Sequence, residues 1–339
     1  MKIGMSKLSM LKIESDQKLF QKITSPENLF SAWKEFKKNK TNKKDVLKFE
    51  YNLEENIFRL YRELKNKTYQ HGDYFGFYIN DPKRRHIHKA LVRDRIIHHA
   101  LFLLLNPIFE PTFIYDSYSC RKGKGTHKAI NRLREILNRV SENKTRTCYI
   151  LKCDIKKFFK SVNHKVLIEI LKRKIKNKDA IWLVEEIIKS FDPGIPIGNL
   201  TSQLFANVYL NKLDQFIKHR LKSKFYIRYT DDFIVVNDQK KELINWLKEI
   251  ETFLNQNLKL ELHPKKIILQ KHHQGVDFLG YIQFPYHRLL RTKTKIRIFK
   301  KTKKGISEQS LQSYLGVLSH ANSHKISEEV KNAYLFNQK

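Results

Sequence analysis

The stretch Phe225-Tyr-Ile-Arg-Tyr-Thr-Asp-Asp-Phe-Ile-Val-Val236 sets two adjacent acids between two apolar runs. Aromatic and β-branched residues flank Thr230-Asp231-Asp232, so the segment reads as two strands meeting at an acidic turn. Neighbouring carboxylates at a tight turn repel each other and are tolerated where water or a cation neutralises them. Taken alone, Asp-Asp is ordinary turn chemistry. A second stretch changes its weight. Tyr149-Ile-Leu-Lys-Cys-Asp154 is an apolar strand candidate ending in an acid, followed by Ile155-Lys-Lys-Phe-Phe159. An Asp after a strand is often a helix cap, so Asp154 gains meaning only together with the hairpin.

Phosphoryl transfer supplies the cation that such a trio needs. Two Mg²⁺ ions, roughly 3.5–4 Å apart, activate an attacking hydroxyl and stabilise leaving pyrophosphate. Hard Mg²⁺ is held by a few carboxylates plus substrate phosphates. The expected ligands are Asp154, the carbonyl of Ile155, Asp231 and Asp232, with Mn²⁺ a substitute. Between the two acidic stretches lies a loop with Pro193, Gly194, Pro196 and Gly198, then a long helix expected over 200–221 with a Phe205, Tyr209, Leu213, Phe216 stripe. Acid-tipped strand, Gly-Pro loop with long helix, then acid-tipped hairpin resembles the order of a polymerase palm.

Working outward, helices are expected at 92–109, 126–141, 163–176, 179–190 and 240–257, with another where Leu53, Ile57, Leu60, Tyr61 and Leu64 recur at helical spacing. Tyr74–Ile79 reads as a strand broken by Asp81-Pro82. The lysines of 34–45 read as a solvated loop between helices. Basic residues alternate with Thr and Ile through Arg291-Thr-Lys293-Thr-Lys295-Ile-Arg297, so an extended strand would carry four positive charges on one face. Leu311, Tyr314, Leu315 and Leu318 form a helical stripe.

Composition points to the partner. Lys and Arg total 67 against 34 Asp and Glu, a net charge of +33 over 339 residues. Such an excess fits a polyanion whose neutralised phosphates release counterions; a solubilising surface accounts for scattered lysines but poorly for this imbalance. The longest apolar run, Ala100–Leu105, is far short of a bilayer span, and the N-terminus lacks a signal-peptide core. We therefore expect a cytoplasmic protein without a membrane partner. Cys120, Cys148 and Cys153 read as reduced thiols. His86, His88, His98, His99, His272 and His273 sit among basic residues, where phosphate contact or surface placement is favoured over zinc.

With these stretches in place, the chain resembles reverse transcriptases. Tyr229-Thr-Asp-Asp232 resembles the family's Tyr-x-Asp-Asp box, Asp154–Phe159 its first palm motif, and Leu262-His-Pro-Lys-Lys266 the following palm segment. Val276-Asp-Phe-Leu-Gly-Tyr281 is similar to the primer-grip hairpin. Arg85 and Arg93-Asp-Arg95-Ile-Ile-His-His99 are similar to the fingers motifs. The resemblance runs from about 50 to 325. It implies an α+β right-hand polymerase: N-terminal extension and fingers over 1–147, palm over 148–285 with fingers inserted at about 163–197, and palm–thumb junction plus small helical thumb over 286–339. One departure is informative. Where most of the family carries Gln-Gly-x-x-x-Ser-Pro, this chain has Ile197-Gly-Asn-Leu-Thr-Ser-Gln203, which resembles diversity-generating retroelement enzymes and related bacterial groups. Ser119–Gly125 and Tyr314–Asn322 point the same way. Reduced fidelity is implied by that resemblance.

The resemblance also implies roles. Phe159 matches the steric gate that favours deoxynucleotides; the competing reading makes Phe158 and Phe159 both core. Lys83, Arg84 and Arg85 fall where fingers close over a triphosphate, with Arg85 preferred for its planar fork and a solvated basic turn the alternative for the other two. Ile197, Gly198, Gln203 and Tyr229 border the nucleotide. Ser202 is a contact or a helix cap, and Lys265 a general acid or a structural ion-pair partner. Arg93, Arg121, Lys122, Lys124, the primer-grip residues Phe278, Leu279 and Gly280, and Arg291, Lys293, Lys295 and Arg297 are the expected nucleic-acid contacts. The implied partners are template RNA, RNA–DNA hybrid, dNTPs, and an accessory protein or second copy of the chain. The length after the primer-grip motif leads us to expect no RNase H, endonuclease or large maturase extension. The leading function is RNA-directed DNA synthesis on a dedicated template RNA in a diversity-generating retroelement. Its rivals are an antiviral-defence reverse transcriptase making templated or untemplated DNA, a catalytically silent RNA-binding protein, and an RNA-synthesising polymerase.

Overall fold

The computed structural model describes residues 18–80 and 84–336. In chain order it contains α1 (Leu19–Thr24), α2 (Pro26–Lys37), α3 (Lys44–Tyr51), α4 (Leu53–Lys65), β1 (Phe75–Ile79), β2 (Arg85–Lys89), α5 (Val92–Phe109) and α6 (Thr126–Val140). Then come β3 (Tyr149–Asp154), α7 (Phe158–Ser161), α8 (His164–Lys172), α9 (Lys178–Lys189), α10 (Leu200–Gln215), β4 (Tyr226–Tyr229), β5 (Asp232–Asn237) and α11 (Lys240–Leu258). The chain closes with β6 (Ile268–Lys271), β7 (Val276–Phe278), β8 (Tyr281–Gln283), β9 (Arg288–Leu290), α12 (Thr292–Thr302), α13 (Glu308–Leu318) and α14 (His324–Phe336). Two compact units interleave along this order. One comprises residues up to 114, 156–215 and 253–261; the other comprises 115–155, 216–252 and 262 onward.

The first unit is helical around α5, whose Ile96, Ile97, Ala100, Leu101 and Leu105 are fully buried. A helix apolar nearly all round must be enclosed, and α1, α2 and α10 pack against it. Asn163 and Asn177 explain where α8 and α9 begin: each side chain accepts the backbone N–H three residues on. The hairpin β1–β2 is antiparallel, with Tyr78 opposite His86. The loop before α10 is tied to β2, since His88 N–H donates to the Ile197 carbonyl at 3.1 Å and Asn199 Nδ2 donates to the His88 carbonyl at 3.0 Å.

The second unit holds a four-stranded sheet ordered β4-β5-β3-β6, all pairs antiparallel. One face is covered by α6, whose Ala129, Ile130, Leu133, Ile136 and Leu137 join Ile150, Ile227, Ile234 and Val236 in one core. A second sheet, β7-β8-β9, and the helices α12–α14 continue that core through Phe278, Tyr281, Ile298, Leu311, Leu318 and Val330.

Four expectations are corrected. Arg291–Arg297 is not a strand: Arg291 precedes α12, and the rest lies within it. The Lys/Thr alternation carries a second period, because Ile298 and Thr302 are buried one helical turn apart and the charged residues take the remaining surface. The lysines of 34–45 divide evenly, with Lys38, Lys40 and Lys43 in a loop between helices and Lys34, Lys37 and Lys44 helical. Lys34 and Lys37 lie in α2, where Leu29, Ala32, Trp33 and Phe36 set the apolar face, and 38–43 is the only connection. The long helix ends at Gln215 and passes into a π-helical turn, Phe216–Arg220. Finally, His98 and His272 are buried, not surface, residues, and burial holds both imidazoles below their ordinary pKa.

Gly194 adopts φ +78°, and a Cβ there would lie 2.1 Å from the Phe159 carbonyl oxygen. That carbonyl accepts the Ile195 N–H at 2.8 Å. Gly194→Ala is therefore expected to lower stability by about 2 kcal/mol or more, read as a reduced urea midpoint with unchanged m-value; a wild-type midpoint would contradict this packing.

Candidate active site

Antiparallel pairing of β3 with β5 aligns Tyr149 with Asn237 at one end and Asp154 with Asp232 at the other. Directly opposed residues have Cβ atoms about 4.5–5.5 Å apart, so the register brings together two carboxylates distant in sequence. Asp231 sits in the β4–β5 turn beside them, and its carbonyl accepts the Ile155 N–H at 3.1 Å. The Asp154 carbonyl accepts the His263 N–H at 2.8 Å. Ile155 also bridges Leu262. Both backbones that carry the acids are thus pinned by main-chain hydrogen bonds.

The electrostatics fit a cation site. Asp232 Oδ1 is buried and meets no hydrogen-bond partner, an arrangement that costs free energy unless something else satisfies it. Burial, then the neighbouring Asp154 and Asp231, push the Asp232 carboxyl up to about 6, while Lys152 pulls the other way. Lys152 Nζ lies 3.5 Å from Asp232 Oδ2 and donates to the Asp277 carbonyl at 2.5 Å. Lys266 Nζ donates to Asp154 Oδ1 at 2.7 Å. Among the described residues no three His, Cys, Asp or Glu side chains converge into a ready-made metal cage. A hard divalent metal would be held there by a few carboxylates plus substrate phosphates and water. Asp154, Asp231 and Asp232 are the residues that could hold it, with the Ile155 carbonyl adjoining.

Lys152 and Lys266 were not singled out from the sequence. Lys152 had a signal, being two residues before Asp154 and so on the same face of the strand. Lys266 had a weaker one: it neighbours Lys265, which is exposed, while Lys266 takes the carboxylate. Tyr229 is half-buried at the end of β4, and its hydroxyl accepts from Thr126 Oγ1 at 3.3 Å.

The other expected residues divide clearly. In the first unit, Phe158 is buried and Phe159 half-buried, so only the first is core. Gly198, at φ +115°, has no room for a side chain, since a Cβ there would lie 2.7 Å from Ile87 Cγ2; Ile197 and Gln203 are half-buried near it in sequence. Arg85 is exposed at the start of β2, and Arg84 stacks over Tyr78. Lys83 lies outside the described residues. Arg93 pairs with Glu63 and lies over the Tyr69 ring, an intramolecular engagement where a nucleic-acid contact was expected.

In the second unit, Lys122 is exposed, Arg121 donates to the Ser117 carbonyl, and Lys124 lies 3.4 Å above the Tyr115 ring. Phe278 is buried, whereas Leu279 and Gly280 form the turn with positive φ of 51° and 93°. Two left-handed residues suit a tight hairpin. Arg291 pairs with Asp277, and its N–H donates to the Gly280 carbonyl, so it braces that turn. Lys293 and Lys295 are exposed and Arg297 half-buried on α12.

Residues 80–283 match the family described as Reverse transcriptase (RNA-dependent DNA polymerase). The chain is similar to the group II intron-encoded protein LtrA of Lactococcus lactis subsp. cremoris, 25% identical over 303 aligned residues that cover 67% of this chain and 49% of that protein. It is also similar to protein YkfC of Escherichia coli K12, 26% identical over 246 residues, covering 60% of this chain and 62% of YkfC. The chain thus spans about half the length of LtrA. Among solved structures, apo telomerase from Candida tropicalis aligns with TM-score 0.52 at 14% identity, covering 78% of this chain and 57% of that one. Telomerase from Candida albicans in complex with a fragment of telomeric RNA aligns with TM-score 0.53 at 10% identity, covering 80% and 55%. These structural likenesses establish an α+β polymerase fold shared with telomerase. Because the family match extends over more than half of its residues, the chain belongs to the reverse transcriptase (RNA-dependent DNA polymerase) family.

Proposed function

We propose that this chain is an RNA-directed DNA polymerase that extends a primer on a dedicated template RNA with low fidelity, in the manner of diversity-generating retroelements. The observation that carries the chemistry is the Asp154–Asp232 opposition with Asp231 in the adjoining turn. Bound Mg²⁺ would supply Lewis acidity at the primer 3′-hydroxyl and at the leaving pyrophosphate. Asp154 and Asp232 supply the fixed negative charge, and the Ile155–Asp231 hydrogen bond holds them in register. Lys152 and Lys266 offset the mutual repulsion of the acids. By the family resemblance, Phe159 would limit the sugar to deoxyribose, and Arg85 would meet the triphosphate. The finer, retroelement reading is supported by Ile197, an aliphatic residue where most of the family has Gln. It is tested by copying a defined RNA with dNTPs and sequencing the DNA: errors concentrated at template adenines support it, and uniform errors or untemplated homopolymer overturn it. Absence of incorporation with Mg²⁺ or Mn²⁺ would remove the polymerase reading itself.

Nucleic acid follows α12 in this proposal. Lys293, Arg297, Lys300 and Lys304 recur at helical spacing, with Lys301 and the exposed Ile296 beside them in one shallow groove. Such a row tracks phosphates without reading bases. Replacing Lys293, Lys300 and Lys304 together by Gln should weaken duplex binding similarly for all sequences and flatten the log Kd against log[salt] slope by about 2–3. An unchanged slope would take the nucleic acid elsewhere.

The raised pKa of Asp232 gives a stability test with a definite sign. A carboxyl whose folded value lies above its unfolded value adds stability below about 4, and that contribution is lost as pH rises through about 6. At pH 8 the ionised side chain is therefore a net cost, on the order of 3 kcal/mol. Asp232→Asn should melt above wild type at pH 8 in EDTA, with the difference shrinking towards pH 4. Mn²⁺ should raise the wild-type Tm and not that of the variant, which should also lack polymerisation. A variant that melts lower than wild type at pH 8 would contradict this electrostatic account.

A further inference from the structure

The basic loop Ser119–Gly125 reaches the acidic turn through side-chain hydroxyls. Thr230 has φ +54°, a left-handed conformation that is strained for a β-branched residue. Such a turn keeps its shape only if its surroundings impose it. Three contacts do so. Ile155 N–H reaches the Asp231 carbonyl at 3.1 Å, Arg228 NH1 donates to the Thr230 carbonyl at 3.1 Å, and Thr230 Oγ1 donates to Ser119 Oγ at 2.6 Å. The first two come from the sheet that carries the acids. The third comes from the loop.

The loop in turn is fastened to β4. Ser117 bridges Arg228 in parallel fashion, with Arg228 N–H donating to Asp116 and Tyr118 N–H to Arg228. The loop closes on itself through Gly125 N–H to the Tyr118 carbonyl at 3.1 Å and Lys124 Nζ to the Tyr115 carbonyl at 2.8 Å. Just beyond it, Thr126 Oγ1 donates to the Tyr229 hydroxyl. Residues 119 and 126, at the two ends of the loop, therefore grip consecutive residues, 229 and 230, of the acidic hairpin.

We propose that Ser119 is a positioning residue: through its hydroxyl bond to Thr230 it sets the Asp231–Asp232 turn for metal, and it makes metal affinity responsive to nucleic acid seated on the loop. This rests on the polymerase reading, which assigns Arg121, Lys122 and Lys124 to the nucleic-acid backbone. The physical route is short. Phosphates drawn to the loop restrain Ser119, Ser119 restrains Thr230, and the following two residues carry the carboxylates. Coupling of this kind is reciprocal, so nucleic acid raises metal affinity by the factor by which metal raises nucleic-acid affinity.

The test measures Mn²⁺ binding by electron paramagnetic resonance, with and without primer–template, alongside primer extension. Ser119→Ala and Thr230→Val should each weaken Mn²⁺ binding about three- to tenfold, the loss expected for one hydrogen bond. Thr230→Ser, which keeps the hydroxyl, should bind as wild type, and the double variant should be no worse than the poorer single. Primer–template should tighten Mn²⁺ binding in wild type but not in Ser119→Ala. Unchanged Mn²⁺ affinity in both single variants, or losses that multiply in the double variant, would overturn the proposal. If the Mn²⁺ effects appear while wild type incorporates no nucleotide, the positioning role stands and the polymerase reading falls.

Discussion

The antiparallel register of β3 against β5 is the constraint on which the candidate site depends. It aligns six residue pairs and ends with Asp154 facing Asp232. Because side chains alternate along a strand, a slip of one residue would turn Asp154 to the other face and take Ile150 away from the core it shares with α6. The buried Ile150, Leu151, Cys153, Phe233, Ile234 and Val235 oppose such a slip. Hydrophobic burial, not attraction between the acids, therefore holds the two carboxylates together against their own repulsion.

That arrangement stores unfavourable electrostatics. A partnerless buried Oδ1, a carboxyl raised to about 6 and two nearby acids all oppose the ionised form. Lys152, within β3, pairs with Asp232, and Lys266, from the turn after Leu262, pairs with Asp154, which offsets part of this. Compensation by mobile ammonium groups leaves the acids available to a stronger cation, whereas bidentate arginines would hold them more firmly. Buried cysteines beside the acids add no competing ligand geometry: Cys153 is fully buried and its thiol pKa is raised by burial.

The interleaving of the two compact units gives the chain a second property. Each unit takes three segments, so neither is a contiguous stretch of sequence. The first is organised by a helix apolar on nearly every side, the second by a sheet covered on one face by α6. Short main-chain ties such as Ile155 to Asp231 and His263 to Asp154 then position functional backbone without needing long buried polar networks.

Much of this was legible in the amino-acid order. Period-2 and period-3.6 patterns located β3, β4, β5, α5, α6 and α9 to within a few residues, because each has one dominant way to bury its apolar side. The trio Asp154, Asp231 and Asp232 was legible for the same reason, since each acid interrupts or ends an apolar run. Segments with two competing periods were not. Lys/Thr alternation through 291–297 suits a strand in isolation, and only the burial of Ile298 and Thr302 against the unit's core selects a helix. Long flexible cations were equally opaque: whether Lys265 or Lys266 meets Asp154, and whether Arg93 faces solvent or Glu63, depends on neighbours brought in from distant segments. The sequence by itself determined the family, the strands and the acids, through local burial patterns. Only the tertiary structure decided which lysines, hydroxyls and carbonyls surround those acids, because such contacts are set by register and side-chain reach across the fold.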